Sequence, residues 1–170
     1  IAGTSSIVQL DAWNWEDAVI RANDGLHVHW PNPYQRSSGG LELNKSYTEE
    51  VNQLGIYFEN SRAYCTMPNH NEVDPRMEAM CPVIEGKATW YVHAEDERQI
   101  TEAIGFKVKH NIQEMVIVGG YDAPWVADLI KENNVSVMIP RVHSLPRFSG
   151  DRIDAPFTLA NQLYEAEIRF

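Results

Sequence analysis

Apolar and polar residues alternate most regularly in the second half of the chain. "ATWYVHA" (Ala88–Ala94) is β-branched and aromatic and predicts a strand. "EDERQITEAIGFKVKH" follows, with Ile100, Ala103, Ile104 and Val108 at helical spacing. "EMVIVGG" (Glu114–Gly120) is a second apolar strand. Asp122 then reads as an N-cap with Pro124 in the first turn, and Val126, Leu129 and Ile130 as a buried stripe. Asn133 and Asn134 end that helix, and "VSVMIP" (Val135–Pro140) is a third strand. A helix begins at Asp154-Ala155-Pro156, and "EIRF" (Glu167–Phe170) reads as a fourth strand. Strands as uniformly apolar as "MVIV" are covered on both faces. Strands alternating with helices at short spacing predict a parallel sheet with right-handed crossovers.

The first half is less regular. "SSIVQL" (Ser5–Leu10) reads as a strand, expected in the same parallel sheet. Asp11 can cap a helix through "AWNWEDAVIRAN", ended near Gly25. "QRSSGG" (Gln35–Gly40) has loop composition, as does "TMPNHNEVDP" (Thr66–Pro75). Ser46 and Glu49 form a capping box for a helix carrying Val51, Leu54 and Phe58. "PRMEAMCPVIEG" reads as a short helix leading to the strand at Ala88. No linker or internal repeat divides the chain, so residues 1–170 are expected to form a single segment without an internal domain boundary.

Composition narrows the partners. The 170 residues carry a net charge of -10, which argues against nucleic acid, because phosphate binding needs a basic face. No apolar run approaches a membrane span. A small-molecule substrate remains the expected partner. Cys65 and Cys81 have no zinc-ribbon spacing, and two cysteines are too few for a disulfide scaffold. They read as buried thiols, with one disulfide as the alternative.

"GTSSIVQLDAWNWEDA", "VIVGGYDAPWVADLIKENNV" and "RVHSLP" resemble the imidazolonepropionase-like bacterial branch of the amidohydrolase superfamily. The resemblance runs from Gly3 to Phe170. It implies a TIM-type (β/α)₈ barrel of a metal-dependent hydrolase acting on amide or cyclic amide C–N bonds with metal-activated water. A full barrel takes about 250 residues. The chain therefore reads as a middle-to-late segment, expected to be inactive alone and to associate with the rest of the barrel or with itself. The alternative is a non-catalytic barrel of this type that has lost its metal site and binds a ligand or partner.

Chemistry in such barrels gathers at the C-terminal ends of the strands. The resemblance puts a metal-ligating histidine at His93, for zinc, iron or manganese in the full-length protein; otherwise His93 is a packed histidine. Gly119-Gly120 stands where metal-bearing relatives carry a second histidine, which puts the ordinary metal site in doubt. The preferred reading of these glycines is a tight strand-to-helix turn. Arg141 could clamp a carboxylate, and His143 could act as acid or base. Either could instead make structural contacts, Arg141 with a loop acid and His143 with backbone. His27 and His29 share a side if extended, as two metal ligands must. Two ligands do not complete a site, and "HVHW" does not match the family's metal motif. Both are expected to be ordinary loop or edge-strand histidines. The five tryptophans read as core or interface packing.

Overall fold

The computed structural model describes residues 1–37, 40–67, 72–147 and 150–170. Residues Ile1–Tyr91 with Ile112–Glu114 make one compact unit, and Val92–Asn111 with Met115–Phe170 a second.

The first unit opens with β1 (Gly3–Val8), a single-turn helix α1 (Trp15–Ala18) and the long strand β2 (Val19–His29). β1 pairs with β2 antiparallel, so the first strand does not join a parallel ladder as expected. The helix expected from Asp11 to near Gly25 shrinks to four residues, capped by Asn14 in place of Asp11. From Val19 the chain extends instead. Asn23 adopts a left-handed φ of 51°, and the register against β1 shifts between Ser5 and Val8. The β-branched pair Val19-Ile20 suits that extension better than a helix. Strand order is β1-β2-β5, with β5 running Thr89–Ala94.

"QRSSGG" is no simple loop. Tyr34–Ser37 (β3) and Gly40–Leu43 (β4) form an antiparallel pair, with Ser38 and Gly39 outside the described residues. The helix α2 (Tyr47–Thr66) buries Tyr47, Phe58, Ser61 and Tyr64. Ser46 makes no side-chain cap bond, so the expected capping box is absent; the Asn44 side chain accepts from the Ser46 N–H at 2.9 Å. Within "TMPNHNEVDP", residues 68–71 lie outside the described residues. Two short helices follow, α3 (Pro75–Glu78), capped by Asp74, and α4 (Cys81–Ile84). Cys65 and Cys81 are joined in a disulfide with Cα atoms 5.5 Å apart. The thiol reading is thus replaced by its alternative: two cysteines suffice to tie the end of α2 to the start of α4, without being a scaffold.

The second unit has the β/α rhythm that the pattern predicts. β5 leads to α5 (Glu97–Lys109), then β6 (Met115–Gly119), a 3₁₀ turn (Ala123–Val126), α6 (Ala127–Glu132), β7 (Ser136–Met138) and α7 (Ala155–Glu165). Strand order is β5-β6-β7, and β6 pairs with β7 in parallel. The Trp90 N–H donates to the Glu114 carbonyl, and the Gly120 N–H to the Ala94 carbonyl, so β5 and β6 also advance together. Burial alternates along these strands. Trp90, Val92 and Ala94 are buried, as are Met115, Ile117 and Gly119, while their neighbours are half-buried. One face of each strand is thus more deeply covered than the other. On α5 the buried set is Gln99, Ile100, Ala103, Ile104 and Phe106; Val108 turns outward, against expectation. Glu167–Phe170 forms no strand ladder, although the Arg169 carbonyl accepts from the Val137 N–H at 3.0 Å. Of the five tryptophans, Trp30 and Trp90 are core, while Trp13, Trp15 and Trp125 are exposed. Among the described residues no helix is long and apolar enough to cross a membrane.

Candidate functional site

The C-terminal ends of β5, β6 and β7 open into a cavity of about 500 Å³. Ligand sites of parallel α/β sheets lie at such strand ends, and this volume is within their usual range. Glu95 follows β5, Gly119 ends β6, and Ile139, Pro140 and Arg141 follow β7; all five line the cavity. Tyr121 and Arg147 add a phenol and a second guanidinium.

Glu95 is held from both sides. Its backbone N–H donates to the Gln99 side chain at 3.0 Å, and Gln99 completes a capping box with Asp96 at the start of α5. Its carboxylate accepts from the Tyr121 N–H at 3.3 Å. The glycine pair explains the position of that carboxylate. A Cβ on Gly119 would lie 2.6 Å from the Glu95 carboxyl carbon, and φ there is +107°. Gly120, at φ +68°, has Val137 at 2.8 Å from the place of its own Cβ. The turn is tight, as the preferred reading had it, and the room left by the missing side chain is filled by Glu95.

The neighbouring acids have donors of their own. Asp122 makes no cap for the 3₁₀ turn; its carboxylate accepts from the Glu97 N–H at 3.2 Å, tying the β6 loop to the start of α5. The Tyr121 hydroxyl donates to Asp151 at 3.2 Å, and the Arg147 guanidinium lies 5.7 Å from the centre of the Tyr121 ring. Burial pushes the Glu95 pKa up; the Tyr121 N–H and Arg147 oppose that, and Asp122 and Asp96 add to it. Asp122 is raised as well, mainly by burial. A carboxyl raised toward neutrality is suited to exchanging protons with a substrate or water.

The sequence-predicted residues fall in different places. Arg141 lines the cavity, while His93 and His143 are not among its lining residues. His93 is half-buried near the end of β5. His143 is exposed and meets Phe157 edge-on at 5.7 Å between ring centres. Among the described residues no three His, Cys, Asp or Glu side chains converge as a metal site would require. Glu95, a carboxylate, is not among the strand-end histidines and arginine to which the sequence points. The available signal was a carboxylate directly after one strand and a glycine pair at the end of the next.

His27 and His29 lie on β2, in the first unit. His27 stacks on Tyr91 at 4.7 Å with 9° between the planes. His29 borders a separate cavity of about 720 Å³, with a lining dominated by apolar residues such as Ile1, Leu26, Val28 and Leu54.

No family model matches this sequence, and no curated protein sequence matches it. Among solved structures, an amidohydrolase from Thermotoga maritima superposes on 98% of the chain with a TM-score of 0.73. The fold is amidohydrolase-like. Identity to that structure is 16%, so the likeness is one of fold alone. The chain spans 45% of the length of that amidohydrolase.

Proposed function

We propose that the chain is a middle-to-late segment of a (β/α)₈ barrel of the amidohydrolase superfamily, in its imidazolonepropionase-like branch. The complete protein would hydrolyse amide or cyclic amide C–N bonds. The observation that carries this reading is the Glu95 carboxyl, its pKa raised, seated over Gly119 in a cavity at the strand ends. In this scheme Glu95 takes a proton from the attacking water. His143, exposed and outside the cavity lining, is proposed as the acid that returns one to the leaving nitrogen. Arg141 holds the substrate in position.

A divalent metal is part of the expectation for this family. The residues present do not fit such a centre by themselves: His93 is the one ligand the resemblance offers, and Gly119-Gly120 supplies none. Further ligands would have to come from elsewhere in the barrel, and no step above depends on a metal. The second reading is a barrel that has lost its metal site and binds a ligand or partner, for which Gly119-Gly120 in place of a ligating side chain is the motive.

The deciding experiment assays the intact protein against a panel of N-acyl and cyclic amides. The hydrolase reading expects turnover that Glu95→Gln lowers by about 100-fold or more, as loss of a general base does. Absence of turnover across the panel, or full activity in Glu95→Gln, would overturn it; the first result would favour the binding protein.

A further inference from the structure

We propose that the cavity between β2 and α2 binds a small dipolar ligand, an ω-amino acid with a carboxylate and an ammonium at opposite ends of an aliphatic chain. Arg76 and Tyr57 take the carboxylate, and Glu50 takes the ammonium. This site is apart from the strand-end cavity and does not depend on the hydrolase reading.

The cavity of about 720 Å³ lies beside β2, on the face that α2 covers. Side chains alternate along a strand. A Cβ on Gly25 would meet the Tyr91 ring, and His27 stacks on the same ring, so both positions point to one face. Leu26 and Val28 point to the other face and line the cavity. Glu50, Leu54 and Tyr57 of α2 line it from the opposite side, at the i, i+4, i+7 spacing of a single helical face. Seven residues of helix rise about 10 Å, so Glu50 and Tyr57 stand at opposite ends with Leu54 between them.

The two ends differ in charge. The Tyr57 hydroxyl is buried and has no hydrogen-bond partner of good geometry among the described residues. Ser61, one turn on, donates to the Tyr57 carbonyl at 2.8 Å. Burial pushes the Tyr57 pKa up and Asp74 adds to that, while Ser61 and Arg76 oppose it, so the Arg76 charge acts on this hydroxyl. Asp74 is committed to capping α3, accepting from the Arg76 N–H at 2.8 Å. Arg76 lines the cavity, and among the described residues its guanidinium has no hydrogen bond or ion pair. A guanidinium fork beside a phenol hydroxyl offers the donors that a carboxylate accepts from. At the other end, the Asn44 amide donates to the Asn32 carbonyl at 3.0 Å and to Glu50 at 3.4 Å. This seats Glu50 just beyond β2, where His29 and Pro31 also line the cavity. The second of those bonds is long, and an ionised carboxylate has capacity for further donors. Leu26, Val28 and Leu54 make the stretch between the ends apolar, which suits an aliphatic chain.

The test is calorimetry on the intact protein at about pH 8, above the ordinary titration of histidine. The probes are 8-aminooctanoate, octanoate and octylamine; the last two each lack one charged end. Wild type should bind 8-aminooctanoate about fivefold or more tighter than either, the scale of one charge-assisted contact at a partly exposed site. Arg76→Met should abolish the preference over octylamine and keep the preference over octanoate. Glu50→Gln should do the opposite. Leu54→Trp, which fills the middle of the cavity, should remove binding of all three. No binding of 8-aminooctanoate by wild type, affinity equal to that of either analogue, or binding that survives Leu54→Trp would overturn the site. Loss of both preferences in either charge variant would overturn it too, because two separate ends would not be lost together.

Discussion

β1 and β5 are both six-residue strands, and they are held by different forces. β1 has no buried residue and depends on its backbone ladder with β2. The turn beyond it carries Leu10 at 98% exposure and Trp13 at 96%. In β5, Trp90 and Val92 are fully buried and Ala94 nearly so. The comparison teaches that strand formation and core formation are separate events here. A ladder satisfies backbone polar groups wherever two extended segments meet. Stability accrues where one face of the strand is also removed from water.

The sharpest way to break this contrast is Trp90→Ala. Emptying that site should cost about 3–5 kcal/mol, read as a shift in denaturant midpoint. A cost under about 1 kcal/mol would put β5 on the level of β1. Gly119→Ala should cost about 2–3 kcal/mol, because the methyl group meets the Glu95 carboxylate and the backbone angle disfavours it. Gly105→Ala, in α5 with nothing within 4 Å of the added carbon, should instead gain about 0.5–1 kcal/mol in the same assay.

A subtler probe is Glu95→Gln followed across pH. Folding raises the Glu95 pKa above its ordinary 4.5, so the folded chain holds that proton more tightly than the unfolded chain. The ionised group therefore weakens the fold progressively as pH rises from that value through the raised one. Glu95→Gln should gain on wild type over that interval and show no gain at lower pH. An equal difference at every pH would mean that the carboxyl's ionisation is not coupled to folding. The smallest effect belongs to the other side of the comparison. Trp13→Ser should change stability by no more than about 0.5 kcal/mol, despite removing the largest side chain in the chain's alphabet.

The same contrast describes what could be read from the residues. β5, α5, β6, β7 and α7 announced themselves through apolar runs, helical spacing and a helix-starting proline. There local preference and tertiary packing agree. "AWNWEDAVIRAN" suits a helix on spacing alone, but pairing with β1 extends it from Val19. "EIRF" has strand composition, yet one backbone bond to Val137 does not make a ladder. At the site, Arg141 was legible because its chemistry is unusual after an apolar strand. The position of Glu95 was not, since it follows from a space at residue 119 created by a fold that brings two strand ends together. His93, Arg141 and His143 were read one strand at a time, and sequence spacing does not tell which strand ends share a cavity.

The interlock of Glu95 with Gly119 also constrains how this protein can change over generations. A side chain at 119 meets the carboxylate while the glutamate is present, and with residue 95 short only the strain of the +107° backbone angle remains. The order of substitution therefore matters: after Glu95→Ala, Gly119→Ala carries the backbone strain alone, whereas the reverse order adds the clash with the carboxylate. Once the second step is taken, the return of a glutamate at 95 is blocked in turn. The pair behaves as a ratchet, and a lineage that lost the carboxylate would find it hard to recover.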